Sequence, residues 1–119
     1  MKKSYYYLFG TSIDDIRSLS DILYRKFDLE FKIHESDYIG EYMKYSGLYA
    51  DKISIEKNFN KIDNSWKEKE FKVYPTLIYV SNFLGKNAEK LAKGQYLKKS
   101  FEKIEDIKLL KEDIIESKD

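Results

Sequence analysis

The chain of 119 residues contains no cysteine, which excludes disulfide bonds, thiolate metal sites and a thiol nucleophile. Its single histidine, His34, leaves a zinc site to be built almost entirely from carboxylates, an unfavourable ligand set for that metal. The five glycines are scattered and form neither a dinucleotide-binding nor a P-loop pattern. These absences predict a protein that is not an enzyme and that binds no metal or cofactor.

Long hydrophobic runs are missing as well. The chain begins Met1-Lys2-Lys3, but the apolar run at residues 5–9 is shorter than the ~7–15 residues of a signal peptide, and no cleavage site follows. No run approaches the ~18 apolar residues of a membrane span. We therefore expect a cytoplasmic protein without a membrane partner.

Hydrophobic residues make up 42% of the chain and aromatic residues 16%, which is enough for one folded domain over residues 1–119. Apolar residues at steps of three and four predict an amphipathic helix over residues 12–27, with Ser12 and Asp15 resembling a capping box. Strict alternation predicts strands at residues 29–34 and 51–56. Further strands are expected at residues 5–9, 38–45, 75–80 and 107–110.

A second helix is expected from Asn87, with Ala88, Leu91 and Ala92 on its apolar face and an interruption at Gly94. Residues 60–70 form a long polar connection, and residues 112–119 are expected to fray. The predicted fold is α+β, a mainly antiparallel sheet with two helices in the order β-α-β-β-β-β-α-β.

Charge is unevenly distributed, although the net charge is only +1. Residues 12–56 carry ten acidic and six basic side chains, a local net charge of −4, whereas residues 86–103 carry six lysines and two glutamates, a local net charge of +4. A small nucleic-acid-binding module that uses the lysine-rich second helix is therefore one hypothesis. Six lysines without an arginine are equally typical of a solvated helix surface.

The segment DYIGEYMKYSGLY at residues 37–49 concentrates four tyrosines among acidic residues. On a strand, Ile39 and Met43 would share the buried face, so that Tyr38 and Tyr42 would point outward. Exposed tyrosines are typical of protein-binding surfaces, whereas nearby acids would repel nucleic acid. The other interpretation, in which these tyrosines belong to the core, stays open. The candidate binding residues are Asp37, Tyr38, Glu41, Tyr42, Tyr45 and Asp51.

Several short motifs carry a family resemblance across residues 28–111. They are G-E-Y-x-x-Y (40–45), D-K-I-x-I (51–55), Asn58, Trp66, Phe71, Y-P-T-L-I-Y-V (74–80) and D-I-K-L-L-K (106–111). With these motifs the chain resembles small bacterial immunity proteins of contact-dependent growth inhibition and related polymorphic-toxin systems.

The resemblance implies a cytoplasmic antitoxin that binds and neutralises the C-terminal domain of one cognate toxin, commonly a nuclease. In that role the hydrophobic anchors would be Tyr38, Tyr42 and Tyr45. The acids Asp37, Glu41 and Asp51 would meet basic residues of the toxin. We expect no nucleic-acid partner under this interpretation.

Overall fold

The computed structural model describes residues 1–118. The elements are β1 (Lys2–Thr11), α1 (Ile16–Phe27), β2 (Lys32–Ser36), β3 (Gly40–Tyr45), β4 (Lys52–Lys57), β5 (Phe59–Asn60), β6 (Ser65–Trp66), a 3-10 turn (Lys69–Phe71), β7 (Thr76–Asn82), α2 (Asn87–Glu102) and β8 (Ile107–Ser117). Six strands form one sheet in the spatial order β2-β3-β4-β7-β1-β8, and β5 pairs with β6 in a separate ribbon. Every pairing is antiparallel. The predicted α+β fold and its element order are confirmed.

Helix α1 begins four residues after the predicted start at residue 12. Asp15, not Ser12, is the N-cap, and its carboxylate accepts a hydrogen bond from the backbone N–H of Arg17. The apolar stripe of the helix is buried as its spacing predicts, with Leu19 and Leu23 inaccessible to solvent.

Helix α2 is continuous through Gly94, so the predicted interruption is wrong. The predicted apolar face is wrong too, because Leu91 is 41% exposed, whereas Lys90, Leu97 and Phe101 are buried. The glycine lies against the Tyr7 ring of β1 and lets the helix approach the sheet closely. The close approach of α2 to the sheet at Gly94 decides which helix residues are buried. Periodicity alone could not reveal which side of the helix faces the sheet.

Strand β8 corrects the prediction of a frayed end from residue 112. Residues 112–117 continue the strand and pair with β1, from Glu112 opposite Tyr7 to Ser117 opposite Lys2. Strand β1 begins at Lys2, earlier than predicted. The backbone groups of its first residues need hydrogen-bonding partners, and residues 112–117 of β8 supply them. The last predicted residue of the tail, Asp119, lies outside the described residues.

The core lies between the sheet and the two helices. Phe101 of α2 joins the layers, with its ring centroid 5.0 Å from that of Phe9 in β1 and 5.9 Å from that of Phe27 in α1. Neither of these two helices is long and apolar enough to cross a membrane. The opposite face of the sheet is partly covered by residues 58–75, which contain β5, β6 and the 3-10 turn.

Candidate functional site

The hairpin that joins β2 to β3 differs from the strand predicted over residues 38–45. Its turn falls at residues 37–39, named here the hairpin tip, and Gly40 then follows with a φ of +75°. Tyr38 in the tip is 82% exposed. Asp37 is also exposed, so both candidate binding residues of the tip are displayed to solvent.

The next two candidate residues lie on β3 with partners of their own. The Tyr42 ring is half-buried and stacks on His34 of β2 at 5.5 Å between ring centroids. Glu41 is exposed and forms an ion pair with Arg17 of α1, with 3.0 Å between the Arg17 Nη2 and Glu41 Oε2 atoms. Both side chains are accessible, but the Glu41 carboxylate is already neutralised by an arginine.

Tyr45 belongs to the core, and its prediction as a surface anchor is wrong. The residue is 8% exposed, and its ring lies 5.9 Å from that of Phe31. Its hydroxyl accepts a hydrogen bond of 3.1 Å from the backbone N–H of Tyr49. The ring therefore fills the core while its hydroxyl serves the following loop, as is usual for a buried tyrosine.

Asp51 is a structural residue rather than a surface acid, which corrects a further prediction. Its side chain is 5% exposed and accepts 2.7 Å hydrogen bonds from the backbone N–H groups of Phe83 and Leu84, while Lys93 of α2 lies 3.4 Å away. Burial by itself would raise the pKa of Asp51, but the two N–H groups and the Lys93 ammonium outweigh burial and hold the pKa below its ordinary value.

The pKa of Asp51 makes acid stability testable through Asp51→Asn. Because the folded-state pKa is depressed, the ionised form stabilises the fold above the unfolded-state pKa of ~3.9, and this contribution is lost as the pH falls toward the folded-state value. Urea unfolding should show the variant less stable than the wild type at pH 7, with a gap that narrows below pH ~4. A gap that is independent of pH would contradict this account.

Asn58 organises the segment that covers the open face of the sheet, a role that the sequence analysis missed. The residue is inaccessible to solvent, and its Nδ2 atom donates to the carbonyl oxygens of Glu68, Phe71 and Tyr74. Its Oδ1 atom accepts from the backbone N–H of Glu68. One side chain thus holds residues 68–74, and in the sequence only the adjacent apolar Phe59 could have hinted at its burial.

A cleft of about 620 Å³ lies between α1, the β2–β3 hairpin and the segment held by Asn58. We call it the hairpin cleft. Its apolar lining is Ile16, Ile39, Phe59, Ile62, Trp66, Val73 and Pro75. The Phe59 and Trp66 rings meet edge to face at 5.1 Å. Ile62 is 57% exposed and Val73 80% exposed, so two large apolar side chains of the lining face solvent.

The hairpin tip and the hairpin cleft form one neighbourhood. The Asn60 side chain donates a 2.7 Å hydrogen bond to the backbone carbonyl oxygen of Tyr38, which ties the β5–β6 ribbon to the tip. Tyr38 and Ile39 also line a second depression of about 240 Å³ beside the cleft, together with Asn60. An exposed tyrosine, an apolar cleft and its rim therefore lie side by side.

The lysine-rich helix α2 offers fewer free charges than its sequence suggests. Lys90 is buried and donates to the carbonyl oxygen of Lys3, Lys93 pairs with Asp51, and Lys98 pairs with Glu112. Three of the six lysines in residues 86–103 are thus engaged within the protein. The remaining lysines, Lys86, Lys99 and Lys103, are exposed.

No ready-made metal site accompanies these features. Within residues 1–118, no group of three or more histidine, aspartate or glutamate side chains is arranged to hold a metal ion. The single histidine is exposed and stacks on Tyr42. The chain matches no protein-family model, and a search of curated proteins finds no match.

Proposed function

We propose that this chain is a non-enzymatic immunity protein that binds one cognate toxin domain directly and neutralises it. The observation that carries the proposal is the exposed Tyr38 beside an apolar cleft with an exposed apolar rim. Contiguous exposed apolar surface of this kind is typical of a protein-binding site. The motif resemblance to immunity proteins supplies the class of partner.

Protein is the partner class that fits this surface best. Tyr38 combines a large apolar ring with a polar hydroxyl and has few torsions to freeze, which suits an anchor at an interface. Glu35 and Asp37 of the hairpin are exposed and form no ion pair among residues 1–118, and they would repel a nucleic-acid backbone. The same two acids would interact favourably with basic residues on the surface of a nuclease.

The partner that we propose is the C-terminal domain of a bacterial toxin, in most such systems a nuclease, encoded next to this chain. Binding would take place in the cytoplasm, before the toxin reaches its substrate. The proposed contact residues are the exposed candidates Asp37, Tyr38 and Glu41, the half-buried Tyr42, and the cleft-rim residues Ile62 and Val73.

Substitution of Tyr38 tests this proposal with the toxin domain encoded immediately upstream. Tyr38→Ala is expected to weaken toxin binding roughly thirtyfold, which corresponds to the ~2 kcal/mol of an interface anchor. Because Tyr38 is 82% exposed, the urea midpoint of the free protein should not change. Isothermal titration calorimetry measures the affinity, and growth of cells that express the toxin reports neutralisation.

Leu48→Ala is the matched control. Leu48 is 80% exposed but lies in the β3–β4 connection, at the opposite end of β3 from the hairpin tip. The control should bind the toxin as the wild type does. Equal losses for both variants would place the interface elsewhere, and absence of any binding to the adjacent gene product would overturn the proposed function.

A further inference from the structure

We propose that the hairpin cleft receives an acidic–apolar segment of its partner, in which a leucine or phenylalanine side chain enters the cleft and neighbouring carboxylates meet its rim. This inference rests on the proposed function and names the chemistry of the partner at that site. It adds acidic residues of the partner to the sequence-based expectation, under which Asp37, Glu41 and Asp51 would meet basic residues of the toxin.

The size and lining of the cleft account for the apolar half of the inference. Its volume of about 620 Å³ falls within the ~300–1,000 Å³ of pockets that hold small ligands. Phe59 and Trp66 form an aromatic wall, and Ile62 and Val73 extend apolar surface outward from it. An inserted aliphatic or aromatic side chain would remove this surface from water.

The charges that remain unpaired at the cleft account for the acidic half. Each of its three acids is engaged: Asp14 pairs with Lys57 at 2.7 Å, and Glu41 pairs with Arg17 at 3.0 Å. Asp15 caps α1, and the N–H of Arg17 and the hydroxyl of Ser18 hold its pKa below the ordinary value. These pairs occupy two of the four basic side chains that line the cleft.

Lys61 and Lys72 are the two basic side chains left over. Both line the cleft and are exposed, and neither takes part in an ion pair among residues 1–118. The Lys72 ammonium lies 5.7 Å from the centroid of the Trp66 ring. A cation of the partner would therefore compete with Lys72 for that ring and meet like charge, whereas a carboxylate would meet two ammonium groups that have no carboxylate partner among residues 1–118.

The partner surface implied by the two sites is mixed in sign. At the hairpin tip, the exposed acids Glu35 and Asp37 would favour basic residues of the partner. Opposite the hairpin cleft, Lys61 and Lys72 call for acidic residues around an apolar side chain. A pattern of opposite signs on neighbouring sites would favour one partner over others that carry a uniformly basic surface.

Trp66 gives a direct test, because it is the only tryptophan of the chain and lies in the cleft. Two capped hexapeptides without tryptophan, Ac-EELFEE-NH2 and Ac-KKLFKK-NH2, are titrated into the isolated protein while Trp66 emission is recorded. The acidic peptide should shift the emission in a saturable way and bind about tenfold more tightly than the basic one at low salt. The difference should shrink at high ionic strength.

Charge reversal at the cleft provides the matched comparison. Lys61→Glu combined with Lys72→Glu should abolish or invert the preference, whereas Lys99→Glu with Lys103→Glu, the same charge change on α2, should preserve it. Equal binding of both peptides, preference for the basic peptide, or no saturable response would overturn the inference. Toxin binding through the hairpin tip is measured separately, so either proposal can fail without the other.

Discussion

Replacement of Asn58 by alanine is expected to lower the free energy of unfolding by about 3–5 kcal/mol, because each buried polar group left unpaired costs ~1–3 kcal/mol. The carbonyl oxygen of Tyr74 would lose its Asn58 donor and the backbone N–H of Glu68 its acceptor, whereas the carbonyl oxygen of Phe71 would keep the N–H of Tyr74. Such a loss is a large fraction of the ~5–15 kcal/mol typical of a domain. Urea denaturation followed by circular dichroism measures it.

The same variant should loosen the cleft before the rest of the fold. Trp66 lies in the chain segment between Asn58 and the residues whose carbonyl groups Asn58 binds. The fluorescence emission of Trp66 should therefore change at a lower urea concentration than the circular dichroism signal. Asn58→Asp should be no better than alanine, since a carboxylate would face several carbonyl oxygens.

Asn60→Ala is the control for Asn58→Ala, with the same change of side chain two residues away. Asn60 bonds the carbonyl oxygen of Tyr38 and the N–H of Ile62 at the surface, where water can replace it. Its cost should stay near ~1 kcal/mol. If the two variants were equally stable, Asn58 would not be the residue that holds this segment.

Gly94→Ala is expected to destabilise the protein by about 2–3 kcal/mol, although alanine in place of glycine ordinarily favours a helix by ~1 kcal/mol. An alanine Cβ at this position would lie 2.6 Å from the Tyr7 Cζ atom and closer still to its hydroxyl oxygen. Tyr7 is 4% exposed and lies on β1, between strands β7 and β8 of the sheet. Its ring therefore has little freedom to move away. Thermal and urea unfolding measure the sign directly.

A double-mutant cycle identifies the cause. In a Tyr7→Ala background the steric conflict is absent, and Gly94→Ala should become neutral or stabilising. At the exposed position 92 of the same helix, Ala92→Gly should cost the ordinary ~1 kcal/mol. A stabilising effect of Gly94→Ala in the wild type would mean that α2 lies farther from the sheet than described.

Part of the candidate site could be predicted from the sequence. Alternation along the strand predicted over residues 38–45 pointed Tyr38 outward, and Tyr38 is exposed, although it lies in the hairpin tip and not on a strand. The same alternation places Tyr45 on the face of β3 that carries Met43, so the burial of Tyr45 agrees with the strand pattern and contradicts only its choice as a surface anchor. The burial of the Asp51 side chain could not be predicted in this way, because it depends on the β7–α2 loop, which meets Asp51 from a distant part of the chain.

The hairpin cleft could not be predicted from the sequence for a related reason. Residues 60–70 are polar and lack periodicity, so the sequence predicted a plain connection there. Asn58 instead folds the chain back on itself through bonds to residues 10 to 16 positions ahead. Hydrogen-bond satisfaction of this kind leaves no repeating pattern in the sequence.

The sequence by itself determined the fold class, the order of the elements and the inward faces of α1 and β4, because the spacing of apolar residues along a segment decides which side seeks burial. Only the tertiary structure decided the buried face of α2, the pairing of residues 112–117, the burial of the Asp51 side chain, and the existence of the cleft. These features depend on contacts between segments far apart in the chain, such as Lys2 with Ser117, and local periodicity carries no information about such contacts.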